Sequence, residues 1–351
     1  MIRASAPGRA GIIGNPTDMY GGCVLSCSIA ERAYCHLFPS DEPYIRLGND
    51  VLTLDDEEDL ALDGGRFDLA KAVIQAFEIN PAMEKFALSI DTDIPEQAGL
   101  AGSTAMLTSI VGCVIDYLRI NLSRYELAEM VREIEADIMS ITCGYQDHYM
   151  TVFGGLNFMD FTGKEHMRGP VREPFATVEP LSDVVTELPM LLAHTGVKRF
   201  SGSVHKSLRE RWIEGEQKVI EGYRRIAELG RLGKKALITR DWQMLGELMN
   251  ENHAIQRSLG GSSECNERLI EAALAHGALG AKLAGAGHGG TIIVLSEEFE
   301  TMTQALMDAG ADKILVPSPT DGLVVEREWP IDNHYEQGTG THRLRRRLDR
   351  C

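Results

Sequence analysis

The stretch around residue 100 constrains this chain most. A strand-like run, FALSIDTDIP (86–95), stops at Pro95, and Gly99-Leu100-Ala101-Gly102-Ser103-Thr104-Ala105 then leads directly into a long apolar helix ending near Leu118. Glycines free the backbone to turn its N–H groups inward, and the helix N-terminus adds partial positive charge, so the turn can hold an anion without Lys or Arg. A Gly/Ser turn before a helix also serves as a plain N-cap, so this segment alone leaves both roles open. The phosphate loop GxxxxGK[ST] is absent.

Charge sharpens that reading. The chain has 351 residues, 44% of them hydrophobic, enough for one large or two ordinary domains with their own cores. Its 35 Lys plus Arg stand against 52 Asp plus Glu, and the net charge of −17 argues against general binding of nucleic acid or anionic membranes. Any phosphate must therefore be met locally. The start, MIRASAPGRAGIIG, has no charged segment followed by an apolar core, and no run approaches the roughly 18 apolar residues of a membrane span, so a cytoplasmic protein is expected. Seven cysteines without a CxxC pair read as buried free thiols in a reducing compartment.

Along the chain, IRASAPGRAGIIG and VLSCSIAERAYCHLF read as strands, and the carboxylates between Asp55 and Asp63 as a solvated turn. DLAKAVIQAFEI (68–79) has helical spacing, and Ser123 with Glu126 forms a capping box opening SRYELAEMVREIEADIM. TVFGGLNFMDF (151–161) reads as a strand. Residues 163–188 hold three prolines and many charges, which reads as a connector. The expected domains are 1–180 and 181–330, with an Arg-rich tail at 331–351. After the connector come an apolar strand, LPMLLAHTG, three long helical patterns, and a glycine-rich turn feeding the strand IIVLS.

Two further segments share the character of the first. Pro7 to Gly22 mixes tight-turn residues with Arg9, suited to a phosphoryl group, and Asp18, suited to ligand hydroxyls; the two could equally pair with each other. Leu283 to Thr291, LAGAGHGGT, would let backbone approach a ligand closely, or form a tight turn.

In order and content, PGRAGIIGNPTD, AGLAGSTAM and LAGAGHGGT resemble the three motifs of the GHMP kinase superfamily, named for galactokinase, homoserine kinase, mevalonate kinase and phosphomevalonate kinase. The resemblance runs from about residue 3 to about 325. Within it, GIIGNPTDMYGG, GLAGSTA, GYQDHYMTVFGGLNFMDF and SGSVHKSLRERWIEGE look most like glucuronokinases, which phosphorylate the 1-hydroxyl of glucuronic acid. Ala101-Gly102 stands where Gly-Ser is common, and His288 interrupts the glycine run of the third motif. The resemblance implies an α+β chain with the two-domain GHMP kinase fold, a ribosomal-protein-S5-domain-2-like N-terminal domain and a ferredoxin-like C-terminal domain, with the site between them.

It also implies ATP and Mg²⁺ as cofactors, and roles for particular residues. Asp147, read as lying in a turn, would be the base toward the acceptor hydroxyl, with Arg9 stabilising it and the transferring phosphoryl group. Gly99, Leu100, Ala101, Gly102, Ser103, Thr104, Ala105, Gly285 and Gly287 would cradle the nucleotide. Ser103 and Glu135 would hold the metal, with Glu133 and Asp137 as neighbouring alternatives. Asp18, Asn15, Tyr20, Gln146, Arg199, Ser201 and Gly287 would line the acceptor pocket. A uronate carboxylate calls for a basic group, and Arg199, Lys206, Arg209 and Arg211 are the candidates. The implied partners are ATP and a sugar or sugar acid, with no nucleic acid or membrane, in a monomer or homodimer. Other acceptors, such as a neutral hexose, a heptose phosphate or a mevalonate-type alcohol, stay open, as does an inactive binding relative.

Overall fold

A computed structural model describes residues 1–56, 58–80, 83–165, 171–197, 207–285 and 290–328. Two long strands, β1 (Ile2–Ile13) and β2 (Cys23–Pro39), form its spine as an antiparallel pair. The register slips between Pro7 and Arg9 and again between Gly11 and Ile13. Such irregularities re-aim side chains, and here they flank Arg9. Strands β3 (Tyr44–Leu47), β4 (Asp50–Thr53) and β5 (Phe86–Thr92) extend the sheet on the β2 side.

Helix α1 (Asp68–Ala76) and the apolar helix α2 (Gly102–Tyr117) cover one face with α3 (Arg124–Glu133) and α4 (Gln146–Phe153). Leu107, Ile110, Val111 and Val114 of α2 are buried against Ala4, Cys35, Leu37 and Leu88 of the sheet. The capping box at α3 forms as expected, with the Ser123 hydroxyl accepting from the Glu126 N–H and the Glu126 carboxylate from the Ser123 N–H. Beyond α3 the helix widens into a single π turn, Ile134–Ile138. Strand β6 (Leu156–Asp160) then pairs with β2 and with β7 (Thr177–Pro180).

The second sheet has β8 (Met190–His194), β9 (Gly280–Leu283), β10 (Thr291–Leu295) and β11 (Lys313–Leu315) in the antiparallel order β11-β8-β10-β9. Helices α5 (Leu208–Ile213), α6 (Gln217–Ile238), α7 (Trp242–Ser258) and α8 (Glu264–Ala275) separate β8 from β9, and α9 (Phe299–Asp308) separates β10 from β11. This is the expected ferredoxin-like arrangement. One face of the sheet packs on α8 and α9; the other shares a core with Ile12 and Leu25 of the spine and Leu229 and Leu245 of α6 and α7.

Two local expectations change. Residues 151–153 end α4 instead of starting a strand, which places Asp147 in the first turn of a helix and not in a turn between elements. Part of the proline-rich connector is the edge strand β7, where prolines are tolerated. The last strand, β12 (Val324–Arg327), which follows the second sheet in sequence, joins the first sheet by pairing with Ile2–Ser5 of β1. The tail 331–351 lies outside the described residues. Replacing Ser123 by Ala should lower stability in urea by about 0.5–2 kcal/mol, the usual loss for a cap. Hydrogen bonding to Ser123 lowers the Glu126 carboxyl, so the difference from wild type should shrink as acid protonates it.

Candidate active site

The three glycine-rich segments meet at one place. The Gly11 N–H donates to the Ala284 carbonyl at 2.8 Å, and Asn15 Nδ2 to the Gly285 carbonyl at 2.8 Å, joining the first segment to the third. The Arg9 N–H donates to the Leu100 carbonyl at 3.0 Å, joining the first to the second. Segments two and three touch backbone to backbone. A Cβ on Gly285 would sit 2.9 Å from the Gly99 carbonyl oxygen, and one on Gly290, where φ is +87°, only 2.1 Å from that of Ala98. Any side chain at either position drives the loops apart.

The turn before α2 closes through Ala101 in the left-handed region, and no side chain caps the helix. Its first N–H groups and its dipole are therefore offered outward beside the exposed Gly99 and Ser103. Thr104 Oγ1 donates to Glu135 Oε2 at 3.3 Å. Of the three neighbouring acids, Glu135 is buried beside α2, whereas Asp137 is exposed and Glu133 half-buried. Glu135 Oε2 also lies 2.7 Å from His148 Nε2. Burial opposes the imidazolium, but the contacts with Cys143 and Glu135 outweigh it and push His148 up to about 10.

Arg9, buried between the segments, sends Nε and Nη2 to Asp147 Oδ1 at 2.8 and 2.6 Å and Nη1 to the Gly99 carbonyl at 2.6 Å. Asp18 does not pair with it. The Asp18 carboxylate is buried, and its Oδ2 accepts the Tyr145 and Gln146 N–H groups at 2.7 and 2.9 Å, so it caps α4 across 127 residues of sequence separation. Gln146 Nε2 donates to Ser26 Oγ at 3.1 Å. Tyr20 stacks near Trp212 and Tyr223, with ring centroids 5.1 and 4.5 Å away. Burial and the Asp18 charge push its hydroxyl up to about 12.

The candidate basic groups separate by their partners. Arg211 is held in a fork by Glu216, at 2.8 and 2.7 Å. Arg209, one turn before Trp212, has no hydrogen-bond or ion-pair partner among the described residues, and its Nε is buried. Arg199, Ser201, Lys206, Gly287 and His288 lie outside the described residues.

The sequence reading passed over His148, Cys143, Trp212, Tyr223 and Lys282. Lys282 carried the clearest signal, a lysine inside an apolar run just before a glycine turn. It is fully buried, and its Nζ donates to Asn15 Oδ1 at 2.8 Å and to the Leu283 carbonyl. Burial, with the Arg9 charge added, pulls its ammonium down to about 7.

Comparison with known proteins gives three family matches: "GHMP kinases N terminal domain" at residues 68–155, "GHMP kinases C terminal" at 234–308 and "Galactokinase galactose-binding signature" at 2–37. Probable glucuronokinase 2 of Arabidopsis thaliana is 31% identical over 317 residues, covering 85% of each chain. D-glycero-alpha-D-manno-heptose 7-phosphate kinase of Campylobacter jejuni is 27% identical, over 82% of this chain and 87% of that one. The crystal structure of Lactococcus lactis galactokinase with galactose superposes with a TM-score of 0.74 at 20% identity, over 92% of this chain and 95% of that one, a likeness of fold. Among the described residues no helix is long and apolar enough to cross a membrane.

The buried Lys282 makes a pH test available. Its folded form sheds a proton near pH 7, while the unfolded chain keeps it up to the ordinary lysine range, so between these limits the unfolded state binds more protons and stability rises with pH. Urea unfolding at about pH 7 and about pH 9 should show wild type gaining stability relative to Lys282→Met. A pH-independent difference would refute the depressed value.

Proposed function

The chain belongs to the GHMP kinase family, and we propose that it transfers the γ-phosphoryl group of ATP to a sugar hydroxyl, the 1-hydroxyl of glucuronic acid in first place. One observation carries the reading: Arg9 ties the only partly exposed Asp147 to the carbonyl of Gly99 in the turn before α2, so a base and a phosphate cradle are held on one guanidinium.

Both Arg9 contacts with Asp147 use Oδ1, which leaves Oδ2 for the acceptor. There it takes the hydroxyl proton as the new O–P bond forms and the bond to the leaving ADP breaks. Asp18 fixes where Asp147 stands, because it anchors the two N–H groups immediately before it. Its Oδ1 remains for sugar hydroxyls. The uncapped N-terminus of α2 and the glycine turns receive the phosphate oxygens. Ser103 Oγ and the Glu135 carboxylate are hard oxygen donors at the same end of α2, a set that fits Mg²⁺. When bound, Mg²⁺ neutralises the phosphate oxygens.

The choice of a uronic acid is supported by 31% identity to a glucuronokinase of Arabidopsis thaliana and by Arg209. Its unpartnered guanidinium stands on the face of α5 that packs Trp212 onto Tyr20, two residues from Asp18. It is the basic group offered to the carboxylate.

An ADP-release assay over glucuronate, galactose, a heptose phosphate and mevalonate tests the assignment. Glucuronate should give the highest kcat/KM, and a higher value for another acceptor would transfer the assignment to that one. Asp147→Asn should cut kcat by about 10²–10⁴ with the fold intact. Arg209→Met should raise KM for glucuronate about tenfold or more and leave KM for the uncharged amide of that sugar unchanged. An inactive binding relative predicts ATP binding without turnover of any acceptor.

A further inference from the structure

Three side chains that the proposed transfer leaves partly unexplained converge beside the start of α2. Glu135 from the π turn, Cys143 from the loop before α4 and His148 from α4 bring one oxygen, one sulfur and one nitrogen within 4.8 Å of one another. His148 is 1% exposed and Glu135 7%, while Cys143 is only half-buried, so solvent reaches the group from the thiol side. A buried carboxylate–imidazole pair would account for the 2.7 Å contact between Glu135 Oε2 and His148 Nε2. It does not account for the thiol of Cys143, a third metal-ligating donor within the same 4.8 Å.

We propose that Glu135, Cys143 and His148 form a binding site for a borderline-soft divalent cation of the Zn²⁺ type. A hard ion such as Mg²⁺ takes oxygen ligands and has no use for sulfur, whereas Zn²⁺ accepts sulfur, nitrogen and oxygen together and completes a tetrahedron with water. At bond lengths near 2.0 Å, the oxygen and nitrogen ligands of a tetrahedral zinc lie roughly 3.3 Å apart, so the Glu135–His148 contact opens by about half an ångström on binding. The thiol proton and the proton between carboxylate and imidazole leave for solvent. The sulfur and nitrogen donors make this site distinct from the oxygen pair of Ser103 and Glu135, yet Glu135 belongs to both. Occupancy by Zn²⁺ therefore removes a ligand from Mg²⁺, and the two ions exclude each other. Ion binding at this site does not depend on which acceptor the protein uses.

Co²⁺ is the probe, titrated into the full-length chain after chelator treatment, with no nucleotide present. Wild type should bind one Co²⁺ with the near-ultraviolet charge-transfer band of a thiolate ligand, Zn²⁺ should displace it, and excess Mg²⁺ should compete. Cys143→Ser, nearly isosteric and half-buried, should fold as judged by circular dichroism and lose the band. Its Zn²⁺ affinity should fall by more than the roughly 10–100-fold typical of losing an outer partner of a metal ligand. His148→Gln should weaken binding similarly; if it does not fold, Cys143→Ser decides alone. Absence of the band in wild type, or equal Zn²⁺ affinity in Cys143→Ser, overturns the site. A Co²⁺ signal indifferent to Mg²⁺ overturns the shared role of Glu135. All of these readouts stand if no kinase acceptor is found, and a kinase active on glucuronate stands if none of them is seen.

Discussion

Everything at the candidate site depends on one buried guanidinium. Arg9 sits on a strand irregularity in β1, 6% exposed, and spends its donors on Asp147 and on a carbonyl of the turn before α2. Burying a cation is tolerable only where charge and hydrogen bonds are returned to it, so the positions of the turn, of α4 and of β1 are set against each other by the same group. The pair adds direction more than stability: it fixes which oxygen of Asp147 is engaged and which is left.

Asp18 performs a comparable service for the other end of Asp147. The N-terminus of α4 lacks a local cap, and the carboxylate that supplies one comes from the first glycine segment. A residue expected to meet ligand hydroxyls or to pair with Arg9 thus holds the helix that carries the proposed base. The geometry of the acceptor pocket and of the base are in this way coupled through one side chain.

Much of this was legible in the sequence, and for identifiable reasons. The glycine turn into α2 and the capping box of α3 follow local rules of turn chemistry and periodicity, whereas the ferredoxin-like strand order was implied by the family resemblance. The three glycine segments could be linked in advance only by resemblance, because nothing in their spacing says that Gly285 must lie against Gly99. What escaped were residues whose meaning is entirely tertiary. His148 reads as an ordinary polar residue until α4 is packed beside the π turn. The strand assignment of 151–153 failed because β-branched Thr151 and Val152 sit in a short helix fixed by packing, which overrides their local preference. Arg209 and Arg211 were indistinguishable by sequence; only Glu216 tells them apart.

The return of β12 to the edge of β1 has a consequence for how the molecule is made. Residues 2–5 are synthesised long before their partners at 324–327, so this edge of the first sheet stays open while the intervening chain is made. The spine of β1 and β2 can form early, since it needs only neighbouring sequence, but the sheet is sealed only when nearly the whole described chain is available. Closure of this sheet is in this sense a report that the chain has been made through to β12.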